Sequence, residues 1–287
     1  MANAITLAKM FVPVLDEIYK EASLTSILDG AADLATQGAN ANELIIPKLD
    51  MQGLANYSRN DGYVKGDITL TNETVKCNFD RGRMFQVDYL DDLETAGIAF
   101  GRLSGEFIRT KVVPELDAFR FAAYASANNI SKVSAGAALA DGSQVVAALR
   151  AAVNEMDEDE VPMTERYLFI TPTLYGMIQD LDTTKSREVM ENFAGVVKVP
   201  QTRFYTAITQ AANGAGGYSK ESSAKDINFM IIHKPAVIQF QKHVAPKIIT
   251  PEQNQDADAY KFGYRNVGIA DVYENKTAGI YLHHKAT

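Results

Sequence analysis

The sequence predicts an α+β protein arranged around one long helix. Three observations carry that reading: apolar residues at three-and-four spacing from Leu93 to Tyr124, alternating strand patterns on both sides of that run, and an α/β-like stretch between Asp141 and Leu181. Leu93, Ala96, Phe100, Leu103 and Phe107 lay an apolar stripe along one helix face, and Arg102, Glu106 and Arg109 fall off it. At about 1.5 Å per residue the run spans roughly 45 Å, against about 11 residues for an average globular helix. Pro114 withholds a backbone donor and is expected to kink the rod near Thr110 to Val113. Leu116, Phe119 and Ala122 continue the spacing beyond it. Such a rod implies an elongated subunit.

The other elements follow in chain order. Residues up to about Asn40 read as an arm: Phe11, Leu15, Ile18 and Tyr19 give a short helical face, and Gly30 to Asn42 is small and polar. Glu43 to Leu49 is a short apolar run that Pro47 marks as an edge strand. Turn formers cluster from Gly53 to Gly66, and Asp67 to Thr71 and Glu73 to Phe79 then alternate as strands do. Together these predict a long hairpin with few large apolar residues near its tip. An isolated hairpin is marginally stable in water, so it is expected to lie on a neighbouring subunit. Asp80 to Arg83 reads as a turn and Met84 to Val87 as a strand; Asp91, Asp92 and Glu94 suit the positive end of the long helix.

Beyond Ala127, Asp141 to Met156 reads as a helix, Arg166 to Thr171 as a buried strand, Pro172 to Leu181 as a helix and Ile227 to His233 as an apolar strand. Asn213 to Gly217 reads as a loop. Tyr260 to Tyr273 and Gly279 to His283, joined at Glu274 to Lys276, predict a terminal antiparallel pair.

Composition narrows the function classes. A chain of 287 residues with 46% hydrophobic and 22% charged content is globular in character and not disordered. Its 28 basic and 36 acidic residues give a net charge of -8, which removes the long-range attraction that nucleic-acid binding uses. The single cysteine, Cys77, excludes an internal disulfide framework; it reads as a strand residue and points to folding in a reducing cytoplasm. Met1 to Thr6 lacks a signal-peptide pattern and no apolar run reaches the roughly 18 residues of a membrane span, so a soluble product without a membrane partner is expected.

Candidate chemistry fails on spacing. His283 and His284 are adjacent on a strand and point to opposite faces, which argues against a shared metal. His233 and His243 lack the carboxylate or cysteine partners of a metal site or triad. Asp157 to Glu160 lacks the interspersed glycine of a calcium loop and reads as a solvated helix end. Gly214, Gly216 and Gly217 are not followed by the lysine and hydroxyl residue of a phosphate cradle, and Ser104 lies within a helix where a nucleophile elbow needs a strand-to-helix turn. No catalytic, cofactor-binding or metal residue is assigned. Lys65 with Asn266 or Asn275 is a candidate pairing for an intersubunit isopeptide bond of the kind some shell proteins form, and solvated surface residues are its default reading.

The order of these parts resembles the major capsid proteins of tailed bacteriophages, the Hong Kong ninety-seven capsid fold. The phrases that carry the resemblance are Gly66-Asp67-Ile68-Thr69-Leu70-Thr71 through Asp80-Arg81-Gly82-Arg83, then Val112-Val113-Pro114-Glu115-Leu116-Asp117-Ala118-Phe119-Arg120-Phe121, and the closing Asp256-Ala257-Asp258-Ala259-Tyr260 to Tyr281-Leu282-His283. The resemblance implies an N-terminal arm over 1–42, an edge strand and extended β-hairpin loop over 43–90, and a long spine helix of a peripheral domain over 91–131. It further implies an α/β axial domain over 132–243 and peripheral closing strands over 244–287. Asn60, Asp61, Gly62 and Lys65 then form the loop tip that contacts another subunit.

By the same resemblance, the function is structural. Copies assemble as pentamers and hexamers into an icosahedral shell enclosing double-stranded DNA, without cofactor, enzymatic activity or sequence-specific DNA binding. The implied location is the virion capsid, assembled in the host bacterial cytoplasm. Because the chain begins directly at the arm, without the long charged helical extension that can act as a built-in scaffold, the expectation is either a separate scaffolding protein or a leading segment that has been removed, together with a portal. An encapsulin-like nanocompartment shell protein shares the fold and is the alternative. An α+β metal-dependent or hydrolytic enzyme whose residues meet only in space is the reading from another class.

Overall fold

The computed structural model describes residues 23–30, 43–60, 62–90, 98–127, 130, 132–133, 136–181, 183–212 and 216–286. The arm helix expected around Phe11 to Tyr19, the acidic first turn at Asp91 to Glu94, Asp61 and Gly214 lie outside those residues.

The long helix is continuous from Ile98 to Ser126, roughly 43 Å at 1.5 Å per residue, and consists of α1 (Ile98–Phe107), a π-helical turn (Ile108–Val112) and α2 (Val113–Ser126). The irregularity falls where Pro114 predicts it. Proline has no N–H for the Thr110 carbonyl and its ring crowds that group, so the chain widens for one turn. Val113 N–H donates to the Ile108 carbonyl, five residues back. The rod's two halves cover different sheets. Ile108, Val113 and Leu116 pack with Phe79, Phe262 and Tyr264 of the antiparallel sheet β10-β11-β3, formed by β3 (Phe79–Asp88), β10 (Val237–Ile249) and β11 (Ala259–Val272).

Phe121 and Tyr124 lie in a second cluster with Phe169, Met230, Ile232, Ile280 and Leu282, on one face of the five-stranded sheet β4-β12-β9-β5-β6. Its strands are β4 (Lys132–Val133), β5 (Arg166–Ile170), β6 (Gly195–Lys198), β9 (Ile227–His233) and β12 (Ile280–His284). The opposite face, with Leu168, Ile170, Phe229 and Ile231, is covered by α3 (Gly142–Glu158), α4 (Pro172–Leu181) and α5 (Thr184–Met190). Burial on both faces accounts for the unbroken apolar run of β9, which is buried at every position. A two-stranded sheet of β7 (Ile208–Gln210) and β8 (Tyr218–Lys220) stands beside the spine.

The fold corrects several expectations. Glu43 to Leu49 is an edge strand, but Asp67 to Thr71 and Glu73 to Phe79 are not two separate strands: β1 (Glu43–Met51) pairs antiparallel with the single strand β2 (Ile68–Lys76), and the two are the arms of the projecting hairpin. Asp80 to Arg83 is not a turn but part of β3, with Asp80 opposite Val267. Its turn-forming composition is overridden by β11: Asp80 pairs with Arg265 at 2.6 Å, and a Cβ on Gly82 would come within 2.9 Å of the Tyr264 carbonyl. Cys77 lies in the two-residue break between β2 and β3 and not within a strand. The closing strands do not pair with each other. Tyr260 to Val272 lies in β11, between β10 and β3, whereas β12 pairs with β9 and β4, because the turn after Tyr273 carries the chain to the other sheet.

Candidate assembly surface

The hairpin β1-β2 carries two unlike faces. Successive residues of a strand point to opposite sides, so Lys48 and Val75 share one side and Leu49, Met51, Ile68 and Leu70 the other. The first side rests on the body. Val75 is buried with Ile238 and Ile269, with Cys77 packed against them, and Lys48 Nζ lies 2.9 Å from Glu274 Oε2. Desolvation first and the Glu274 charge second hold the Glu73 carboxyl, half-buried at the root of the hairpin, above its ordinary range.

Among the described residues nothing covers the second side. Leu49 sits directly opposite Leu70 and Met51 opposite Ile68, so four apolar side chains form one patch, each more than half exposed. The irregular tip adds Leu54, Tyr57, Tyr63 and Val64, with the two tyrosine rings 4.9 Å apart. These correct the expectation of a tip poor in large apolar residues. Eight of the thirteen large apolar residues exposed among the described residues fall between Leu49 and Leu70. Such concentration is unlike the scattered exposure of an ordinary surface and marks a contact surface.

Of the residues assigned to the tip, Asn60, Gly62 and Lys65 lie where the hairpin reverses between β1 and β2. Gly62 holds φ 78, and its N–H donates to the Ser58 carbonyl at 2.8 Å. The Asn60 N–H donates to Ser58 Oγ at 3.3 Å, and Lys65 is exposed. Asn60 and Gly62 therefore shape the turn, while the apolar patch that sequence reasoning missed supplies the area. Its signal was present: Leu49 and Met51, and Ile68 and Leu70, each alternate with polar neighbours.

Beside the spine, an open groove of about 1100 Å3 runs between Phe85 and Phe107 on one wall and Tyr205 and Tyr218 on the other. Arg81 fastens it, donating to Glu115 Oε1 at 2.8 Å and to the Ala211 carbonyl at 2.9 Å. Gly216 and Gly217 have positive φ, and a Cβ on Gly216 would collide with the Arg83 guanidinium. These glycines serve loop packing. His233, His283 and His284 are packed side chains: His283 stacks on Phe229 at 4.8 Å, and all three are buried. Asp157 pairs with Arg166 at 2.7 Å across the end of α3. Asn266 is 1% exposed within β11, which sets it apart from the exposed Asn275 as a partner for an exposed lysine. Among the described residues no group of three histidine, cysteine or acidic side chains is placed to hold a metal ion, and no helix is long and apolar enough to cross a membrane.

No protein-family model and no curated protein matches the chain. Solved structures do. The chain is similar to the asymmetric unit of the bacteriophage PhiM1 mature capsid, with TM-score 0.60 and 12% identity over 88% of this chain and 84% of that one. It is similar to the capsid structure of the cyanophage P-SCSP1u, with TM-score 0.58 and 12% identity over 88% and 85%. The crystal structure of a virus-like particle from Pyrococcus furiosus matches with TM-score 0.61 and 12% identity over 96% and 98%. Spine, projecting hairpin and paired sheets together place this chain in the phage major capsid fold.

Proposed function

We propose that this chain is the structural subunit of a closed shell, a phage-type major capsid protein whose copies form the pentamers and hexamers of an icosahedral container for double-stranded DNA. The observation that carries the reading is the exposed apolar face of the hairpin: Leu49, Met51, Ile68 and Leu70 are each more than half exposed and join no core cluster among the described residues. Cross-strand apolar patches of this kind are costly in water and gain about 25 cal/mol per Å2 when a second surface covers them.

In this reading residues 1–42 form the N-terminal arm, 43–90 the edge strand and extended loop, 91–131 the peripheral spine, 132–243 the axial domain and 244–287 the closing strands. Asn60, Asp61, Gly62 and Lys65 meet a neighbouring subunit. A separate scaffolding protein and a portal complete the assembly. The net charge of -8 suits a wall that holds DNA without gripping it.

Electron microscopy of the purified protein, alone and with its scaffolding protein, tests the proposal. Closed particles are expected; dispersed monomers in every condition, scaffold included, would refute it. The likeness to the Pyrococcus furiosus particle across nearly the whole of both chains supports a second reading, a nanocompartment shell enclosing protein. The contents of purified particles separate the two. Packaged DNA favours the capsid, and a co-purifying protein without DNA favours the compartment.

A further inference from the structure

Asp117, on α2, is completely buried and carries a carboxylate that the spine alone does not satisfy. Three successive residues from the other end of the chain do so. Ser23 Oγ donates to Asp117 Oδ1 at 2.9 Å and Thr25 Oγ1 at 2.8 Å; the N–H groups of Leu24 and Thr25 donate at 3.1 and 3.4 Å. From the opposite side Arg203 lies 3.3 Å from Oδ2. Arg120, one helical turn further along and also buried, donates to Thr25 Oγ1 at 2.7 Å. Gln239 of β10 closes the arrangement. Its Nε2 donates to the Thr25 carbonyl at 2.7 Å and to Asp29 Oδ1 at 2.6 Å, its Oε1 accepts from Tyr124 at 2.7 Å, and its carbonyl accepts from Gly30 N–H at 3.1 Å. Leu28, 1% exposed, is the apolar peg.

We infer that Ser23–Gly30 is a two-state latch that fixes the N-terminal part of the chain to the spine. Partial release is the costliest state. Lifting Ser23 to Thr25 strips four donors from a fully buried carboxylate, and a half-satisfied buried charge costs more than one fully paired or fully hydrated. The latch is therefore seated as a unit or released as a unit, with water reaching Asp117 only when the whole segment leaves. Arg203 shares the same carboxylate, so Asp117 joins the latch to the Gln201–Arg203 turn at the edge of the groove, and loss of its charge loosens both. The device links three parts distant in sequence: the N-terminal tract, the spine and β10. It holds whether the subunit is free or assembled, so it stands apart from the shell reading.

Hydrogen exchange followed by mass spectrometry on the full-length protein tests it. Asp117→Asn keeps the side-chain shape but turns an amide donor toward the incoming donors; amides of 23–30 are expected to exchange at least roughly tenfold faster, with those of 201–204 following and those of β9 unchanged. Ser23→Ala with Thr25→Val changes the latch alone and decides the matter where the helix variant fails to fold. Faster exchange across the whole of 23–30 in that variant, with β9 unchanged, supports the latch. Wild-type exchange in 23–30, or loss of protection in 23–30 and β9 together, overturns it.

Discussion

Single residues set local limits that can be measured. Asn228 Nδ2 donates to the Ala137 carbonyl at 3.0 Å and lies 3.1 Å from His283 Nδ1, so that ring nitrogen is the acceptor and the imidazole is neutral. Burial first and the neighbouring His284 second lower the His283 pKa from 6.5 to about 4. The unfolded chain therefore binds a proton between those values that the folded chain refuses. Stability from this group is complete above pH 6.5 and is lost as pH falls toward 4, by ~3 kcal/mol in all. Thermal melts from pH 7 to pH 4.5 are expected to fall more steeply for the wild type than for His283→Gln; equal slopes would exclude this residue as the source. Gly142, just inside α3, is a second such point. A Cβ there would meet the Met177 backbone carbonyl, which cannot turn aside as a side chain can. Gly142→Ala is expected to cost ~1–3 kcal/mol in chemical denaturation despite the better helix propensity of alanine.

At the scale of elements, the segments dictated by local chemistry were legible in the sequence and those decided by tertiary contact were not. Helix α4 was read at its observed limits, Pro172–Leu181, and strand β9 at Ile227–His233, because a proline start and an unbroken apolar run need no distant information. The spine's irregular turn was legible from Pro114 alone. Asp80 to Arg83 was misread because its acidic residue and glycine mark a turn in isolation, whereas Arg265 and the Tyr264 backbone, nearly two hundred residues on, draw it into β3. The partners of β12 were hidden for the same reason. Nothing in a sequence of alternating strands says which sheet a turn delivers them to. The hairpin tip gives an element-scale prediction. Gly62 holds φ 78, which proline cannot adopt, and its N–H is bonded to Ser58. Gly62→Pro, or deletion of 56–66, is expected to leave the subunit's melting temperature within about 2 °C of wild type while assembly weakens, since no core cluster includes the tip. Undiminished assembly, judged by light scattering, would remove the tip from the contact.

For the whole molecule, the deciding quantity is which force joins its copies. The hairpin offers a nearly uncharged apolar face in Leu49, Met51, Ile68 and Leu70, while the Lys48–Glu274 ion pair on its other side is internal to the subunit. With a net charge of -8, copies repel one another at long range, and added salt screens that repulsion over a Debye length of about 8 Å at physiological ionic strength. Assembly through this face is therefore expected to strengthen from low salt to moderate salt, to strengthen again in sulfate, and to weaken on cooling, since apolar burial fades at low temperature. Replacing the four residues by serine should abolish all three responses without unfolding the monomer, because each side chain is already more than half exposed there. Sedimentation velocity across a salt and temperature series would distinguish this from an interface built on charge. Particles that fall apart as sodium chloride rises, and hold together in the cold, would assign the contact to ion pairs and leave the apolar hairpin face without its role.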